Sequence, residues 1–221
     1  MKKIIGIICS LILLISCSQN NPAEKGLVSS SDSVKLSAVS ENVELSGLYA
    51  DRHFTNCAGS EAAIAVEGDL KKLDSIYSNL VPNAYPGQTI FIKVKGALAG
   101  TLTVKEIVSA EQKNDKNTCI PYDYWCMGNE PFWRIQISEK ENLIDFYDPM
   151  VPKFYHFKFS APVIAKGTVI YTSEDKGNKI KITVISAKCS DGMSDREYKY
   201  SSEVILNGAA YKGCAVKYGD K

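Results

Sequence analysis

The sequence predicts a mainly β protein in two parts: a small barrel with one helix, then an antiparallel β-barrel or sandwich. Three observations carry this. Short segments alternate apolar and polar residues, as half-buried strands require. One stretch, from Leu70 to Leu80, instead repeats its apolar residues at helical spacing. A polar run, Lys113-Asn114-Asp115-Lys116-Asn117, separates the two sets of strands. With 221 residues, 45% of them hydrophobic and 23% charged, the chain is long enough to bury a core in one or two domains.

The N-terminus reads as an address. Met1-Lys2-Lys3 is positive, and Ile4 to Ile15 is an apolar run of twelve residues. That run is too short to cross a hydrocarbon core of ~30 Å as a helix. It ends in Leu14-Ile15-Ser16-Cys17, which resembles the lipobox of bacterial lipoproteins. The resemblance implies cleavage before Cys17, acylation of Cys17, and a signal peptide over 1–16. Ser18 rather than an acidic residue follows, which by similarity to enteric lipoproteins places the chain at the outer membrane, facing the periplasm. Residues 17–42 are small and polar without apolar period, and are expected to be a flexible tether.

Residues 43–112 are expected to form an α+β unit. Val43 to Tyr49 alternates as an opening strand, and Ala62 to Val66 is a second strand. A helix follows on Leu70, Leu73, Ile76, Tyr77 and Leu80, started by Gly68-Asp69 and closed before Pro82. Thr89–Lys95 and Thr101–Ile107 are further strands. This order suits a small barrel of the OB type. Gly47-x-Tyr49, Phe54-x-Asn56-Cys57-x-Gly59 and Pro86-Gly87-x-x-Ile90 resemble the OB-type domain of NlpE-related envelope lipoproteins. That family implies envelope-stress sensing. The C-x-x-C of its other domain is absent here, so copper binding is not carried over.

Residues 113–125 are expected to be a linker and 126–221 a β-domain. Strands are expected over Phe132–Ile137, Leu143–Tyr147, Phe154–Phe159, Gly167–Tyr171, Lys179–Val184, Val204–Leu206 and Ala209–Tyr211. Asn207-Gly208 supplies the two positive-φ positions of a type I′ hairpin turn. Gly128-x-Glu130-Pro131-Phe132-Trp133, Cys189-x-Asp191-Gly192-Met193-Ser194-Asp195-Arg196-x-Tyr198 and Asn207-Gly208-x-x-x-x-Gly213-Cys214 resemble a family of poorly characterised bacterial envelope lipoproteins. This half is also similar to C-type lysozyme inhibitors.

An exported chain permits disulfides. Cys189 and Cys214 flank the final hairpin and belong to the family motif, so they are expected to pair. Of Cys57, Cys119 and Cys126, one stays unpaired. Cys57–Cys119 is preferred, which leaves Cys126 free; Cys119–Cys126 is the alternative.

The candidate ligand or structural anchor residues are Glu130, Trp133, Asp191, Asp195 and Arg196. Glu130 is expected to meet Arg196 as an ion pair tying the two motifs, with ligand recognition as the sharper reading. Trp133 is expected to plug a barrel end rather than to form an exposed platform. The 191–195 stretch reads as a turn bonding its own backbone. Catalysis is not expected, because Ser194 has no paired histidine and Glu130 no fixed acid–base partner. Cys126, Met127, Met193 and His156 are the soft-metal candidates, but they lack metal-ligand spacing; no cofactor or metal is expected. Net charge is +1, and loss of Lys2 and Lys3 leaves 24 basic against 25 acidic residues. Nucleic acid is therefore not an expected partner. The expected role is a membrane-anchored, non-enzymatic binding or sensing module of the envelope, contacting the membrane through Cys17 and an envelope protein or the cell wall. Inhibition of lysozyme or another wall hydrolase is the alternative.

Overall fold

The computed structural model describes residues 40–59, 62–193 and 195–220. The signal peptide, Cys17, most of the tether and Ser194 lie outside them. The described residues are mainly β, in two modules.

The first module holds β1 (Ser40–Ala50), β2 (His53–Asn56), β3 (Ile64–Gly68), α1 (Leu70–Leu80), β4 (Ile90–Leu98) and β5 (Leu102–Gln112). Its strands close into a barrel in the order β1-β2-β3-β5-β4, with β4 returning to β1. Only the β3–β5 pairing is parallel, and the helix lies between β3 and β4, the arrangement of an OB-type barrel. Asp69 caps the helix by accepting from the Lys72 N–H at 3.2 Å. The helix ends where Val81 N–H returns to the Tyr77 carbonyl, just before Pro82. Its buried residue Leu73 joins Tyr49, Phe54, Ile90, Ile92, Val94 and Leu102 in the core. β1 begins at Ser40, three residues inside the expected tether, because residues 43–49 continue their pairing with β4 backwards to Leu98.

The second module holds β6 (Tyr124–Asn129), β7 (Phe132–Ser138), β8 (Leu143–Asp148), β9 (Lys153–Lys158), β10 (Val163–Ala165), β11 (Thr168–Asp175), β12 (Asn178–Ile185), β13 (Cys189–Ser190), β14 (Glu197–Tyr198), β15 (Tyr200–Leu206) and β16 (Ala209–Lys217). Nine of these form one sheet, ordered β10-β11-β12-β15-β16-β6-β7-β8-β9. Its two outer strands, β9 and β10, are consecutive in the chain, and the sheet curls into a half-barrel that brings β9 near β11. There the Ser173 hydroxyl donates to the Lys158 carbonyl at 2.8 Å, and the Ser160 hydroxyl donates to the Thr172 carbonyl. Inward-facing Cys126, Trp133, Ile135, Ile137, Ile144, Phe146, Phe157, Tyr171 and Ile182 fill the interior. A packed core of this kind leaves no lumen for a ligand.

The stretch expected as a linker is a seam between the modules. Lys113 and Thr118 are buried, and Tyr124 and Trp125 already belong to β6. Lys113 escapes solvent because its ammonium lies 2.6 Å from the Glu141 carboxylate. Gln136 donates to the same carboxylate, and Arg134 donates to Gln112 at the end of β5. Tyr85, from the loop after α1, stacks on His156 with centroids 3.9 Å apart. Its hydroxyl donates to Asp145, whose other oxygen lies 2.6 Å from His156 Nδ1. Burial, and then the Asp145 carboxylate, push the Tyr85 hydroxyl far above the ordinary tyrosine range.

Cys57 is bonded to Cys119 and Cys189 to Cys214, while Cys126 is free and buried. Burial pushes its thiol up to about 12, against a lowering contribution from its hydrogen bond with Ser202.

Candidate functional site

β6 and β7 form a tight hairpin in which Asn129 pairs with Phe132, so Glu130 and Pro131 are its two turn residues. The peptide bond between them is cis, the geometry of a type VI turn. Strand alternation then sets every side chain of the motif. Cys126, Gly128 and Trp133 face the core; Met127, Asn129 and Phe132 face outward.

The two motif glycines exist for Trp133. A Cβ on Gly128 would stand 2.2 Å from the indole Nε1, and one on Gly213 2.0 Å from the Met127 carbonyl oxygen and 2.9 Å from the indole ring. The indole lies parallel to Phe146, with centroids 6.0 Å apart, and meets Tyr211 edge-on. It is 3% exposed and its Nε1 has no hydrogen-bond partner among the described residues. Trp133 is a core residue, not a platform.

The second motif folds over the outside of the same strands. Cys189 and Ser190 pair with Tyr198 and Glu197 as a two-stranded ribbon. The disulfide to Cys214 rivets that ribbon to β16. The intervening loop bonds itself: Met193 N–H donates to Asp191 Oδ1 at 3.0 Å and Gly192 N–H to Ser190 Oγ at 3.2 Å. Tyr198 OH donates to Asp191 Oδ2 at 3.0 Å. A direct bond from Asn129 Nδ2 to the Asp191 carbonyl at 2.9 Å joins the motifs, and Tyr198 OH also donates to Met127 Sδ at 4.0 Å.

Between them lies an open groove of about 430 Å³, lined by Met127, Asn129, Glu130, Asp191, Met193 and Lys212 among others. It offers carboxylates from both motifs and two thioethers, and the Lys212 ammonium at its wall is paired with Glu203 at 3.6 Å. Glu130 and Asp191 both line this groove. The Glu130–Arg196 pair does not form. Arg196 instead lies 3.7 Å from Asp115 and over the Tyr198 ring at 4.7 Å. The reason is geometric: Glu130 projects from the exposed hairpin tip, whereas Arg196 returns with β14 toward the 113–118 segment. Asp195 is exposed near the loop tip, outside the groove lining. The soft-metal candidates do not converge. Cys126 faces the core, Met127 and Met193 line the groove, and His156 sits in the seam against Asp145.

Sequence reasoning missed Asn129 and Lys212. Asn129 was legible only as part of a turn, and Lys212 joins the groove because β16 lies beside β6, a long-range pairing (Cys214 with Met127, Lys217 with Tyr124) that no local pattern encodes. A larger depression of about 760 Å³ lies on the outer face of β11, β12 and β15, but it is shallow. The groove is the better candidate because residues 127–130 and 189–193, far apart in sequence, meet there through the Asn129–Asp191 hydrogen bond, and the disulfide to β16 holds the second of them in place. No protein-family model matches the chain, and no curated protein and no solved structure matches it either.

Proposed function

We propose that the chain is a non-enzymatic binding or sensing protein of the bacterial cell envelope, held to the membrane by an acylated Cys17, which takes its partner at the groove between residues 127–130 and 189–193. The observation that carries this reading is the riveted loop. A disulfide and an Asn129–Asp191 bond hold an exposed loop across a groove whose floor is rigid sheet. Such preorganisation reduces the ordering cost of binding. Two disulfides fit an oxidising compartment, and the lipobox resemblance gives the anchor. Both barrel cores are filled, which leaves the outer surface for recognition.

A photo-crosslinking residue in place of Met193 in the intact envelope tests the groove. Capture of a partner there, and not from the exposed first-module position Val108, is the expected result. Equal labelling at both positions removes the groove from the proposal.

The inhibitor reading draws on one specific observation: Gly192, Met193, Asp195 and Arg196 are exposed on a disulfide-braced loop. Titrating C-type lysozyme with the purified protein separates the readings. Stoichiometric inhibition, abolished by Asp191→Ala, favours the inhibitor.

A further inference from the structure

We propose that the tips of the β6–β7 and β8–β9 turns form a wedge that seats in the headgroup–acyl boundary of a bilayer. The proposal rests on the anchored reading above. Large apolar side chains are exposed at both tips: Phe132 is 50% exposed, Met150 73% and Val151 61%. The tips are neighbours. β7 pairs with β8 at Arg134–Tyr147, and two more residues in that register set Phe132 level with Pro149. The other two turns at this end of the barrel, Lys176-Gly177 and Asn207-Gly208, are polar, and Ile205 beside the second is the large apolar side chain exposed near them, so the larger apolar surface lies on the side of Phe132, Met150 and Val151.

Backbone chemistry distinguishes this wedge from an ordinary exposed loop. Entering a low-dielectric layer is costly for every unsatisfied peptide N–H and C=O group, and proline removes the N–H. Pro131, Pro149 and Pro152 carry none. The N–H of Met150 donates to Asp148 Oδ1 at 2.9 Å. In the Pro149-Met150-Val151-Pro152 turn this leaves only the Val151 N–H without a partner among the described residues.

The flanking groups set the depth. Lys153 is exposed and its ammonium lies 4.2 Å from the Tyr155 ring centroid, the pairing of a snorkelling cation with an interfacial aromatic. Glu130 is exposed beside Pro131, and its carboxylate stops the wedge at headgroup level. With Glu130 and Asp148 against Lys153, the tip has no cationic excess, so contact should not need anionic lipid. A convex tip of single side chains suits a surface that deforms around it better than it suits a second copy.

The test uses the acylated full chain on phosphatidylcholine vesicles, with Phe132→Trp and, separately, Met150→Trp. The native Trp125 and Trp133 are each 3% exposed and give a constant background. Lipids brominated on their acyl chains should quench either new indole several-fold more than they quench Val108→Trp, equally with and without added phosphatidylglycerol. Chain bound to vesicles with tip indoles quenched no more than Val108→Trp overturns the wedge and leaves the anchor standing. Wild-type chain remaining in the supernatant overturns both. An emission shift without vesicles that grows with protein concentration overturns it in favour of a second copy on the tip.

Discussion

At the scale of single residues, the motif glycines have a physical reading. Gly128 and Gly213 are flat spots under a buried indole. Gly213→Ala drives a Cβ to 2.0 Å from a backbone carbonyl that cannot swing aside. Its cost should reach or exceed the upper end of the ~1–3 kcal/mol seen for overpacking. Gly128→Ala, which meets the indole and the Lys212 carbonyl, should fall within that range. Gly59→Ala, whose nearest neighbour is 3.7 Å away, should cost little. Urea denaturation of the three variants checks the order; equal midpoints would refute the account. Cys126 gives a second expectation. The thiolate is the reactive form, and a thiol raised to about 12 by burial is almost wholly protonated at pH 8. Iodoacetamide should leave Cys126 unlabelled in the native protein and label it in denaturant. Rapid native labelling would show that the interior opens. The cysteine pairing was legible from the sequence because exclusion and motif order left few choices. The Glu130–Arg196 contact was not, because an ion pair depends on where two loops point, and spacing carries no such information.

Elements with a full period were readable, and short ones were not. The helix, with five apolar residues on one face and an Asp69 cap, and the long strands β4, β7, β12 and the β15–β16 hairpin, are visible as pattern. β2 has four residues, β10 three, and β13 and β14 two each. Such lengths hold one alternation or less, and tertiary pairing alone makes them strands. β6 was obscured for another reason: its outward face, Trp125, is buried under the first module, so both faces are apolar and the alternation disappears. The same seam hid the role of Lys113, whose neighbours in sequence are polar and solvated. Its pair with Glu141 is buried on both sides, at 8% and 12% side-chain exposure. Lys113→Met should cost ~3–5 kcal/mol because it strands a buried carboxylate, whereas Lys113→Met with Glu141→Leu should recover most of that loss. A double-mutant cycle by chemical denaturation measures it, and additive losses would mean the pair is solvated.

The whole molecule should respond to alkali as one unit, because the groups concerned are spread over both modules and the seam. Tyr49 and Tyr122 are raised from 10.0 to about 12, chiefly by burial, and Tyr85 and Tyr171 are also raised by burial. Each raised group is protonated in the folded state at a pH where the unfolded chain has begun to lose the proton. Its contribution is complete below pH ~10 and is lost as pH rises through the folded value. Urea midpoints should therefore hold from pH 7 to about 9 and fall steadily from pH 10 to 12. A midpoint constant to pH 11.5 would mean that these hydroxyls already reach water in the native state. The strand order of the second module carries a separate consequence for its engineering. Tyr124, where the chain enters, pairs directly with Lys217, where it leaves. The module's two ends therefore emerge side by side at one point of its wall. A domain built this way behaves as a cassette: it can be inserted into a surface loop of another protein without stretching its host. It can also be circularly permuted, with a short bridge from 217 to 124 and new termini opened at Asn207-Gly208.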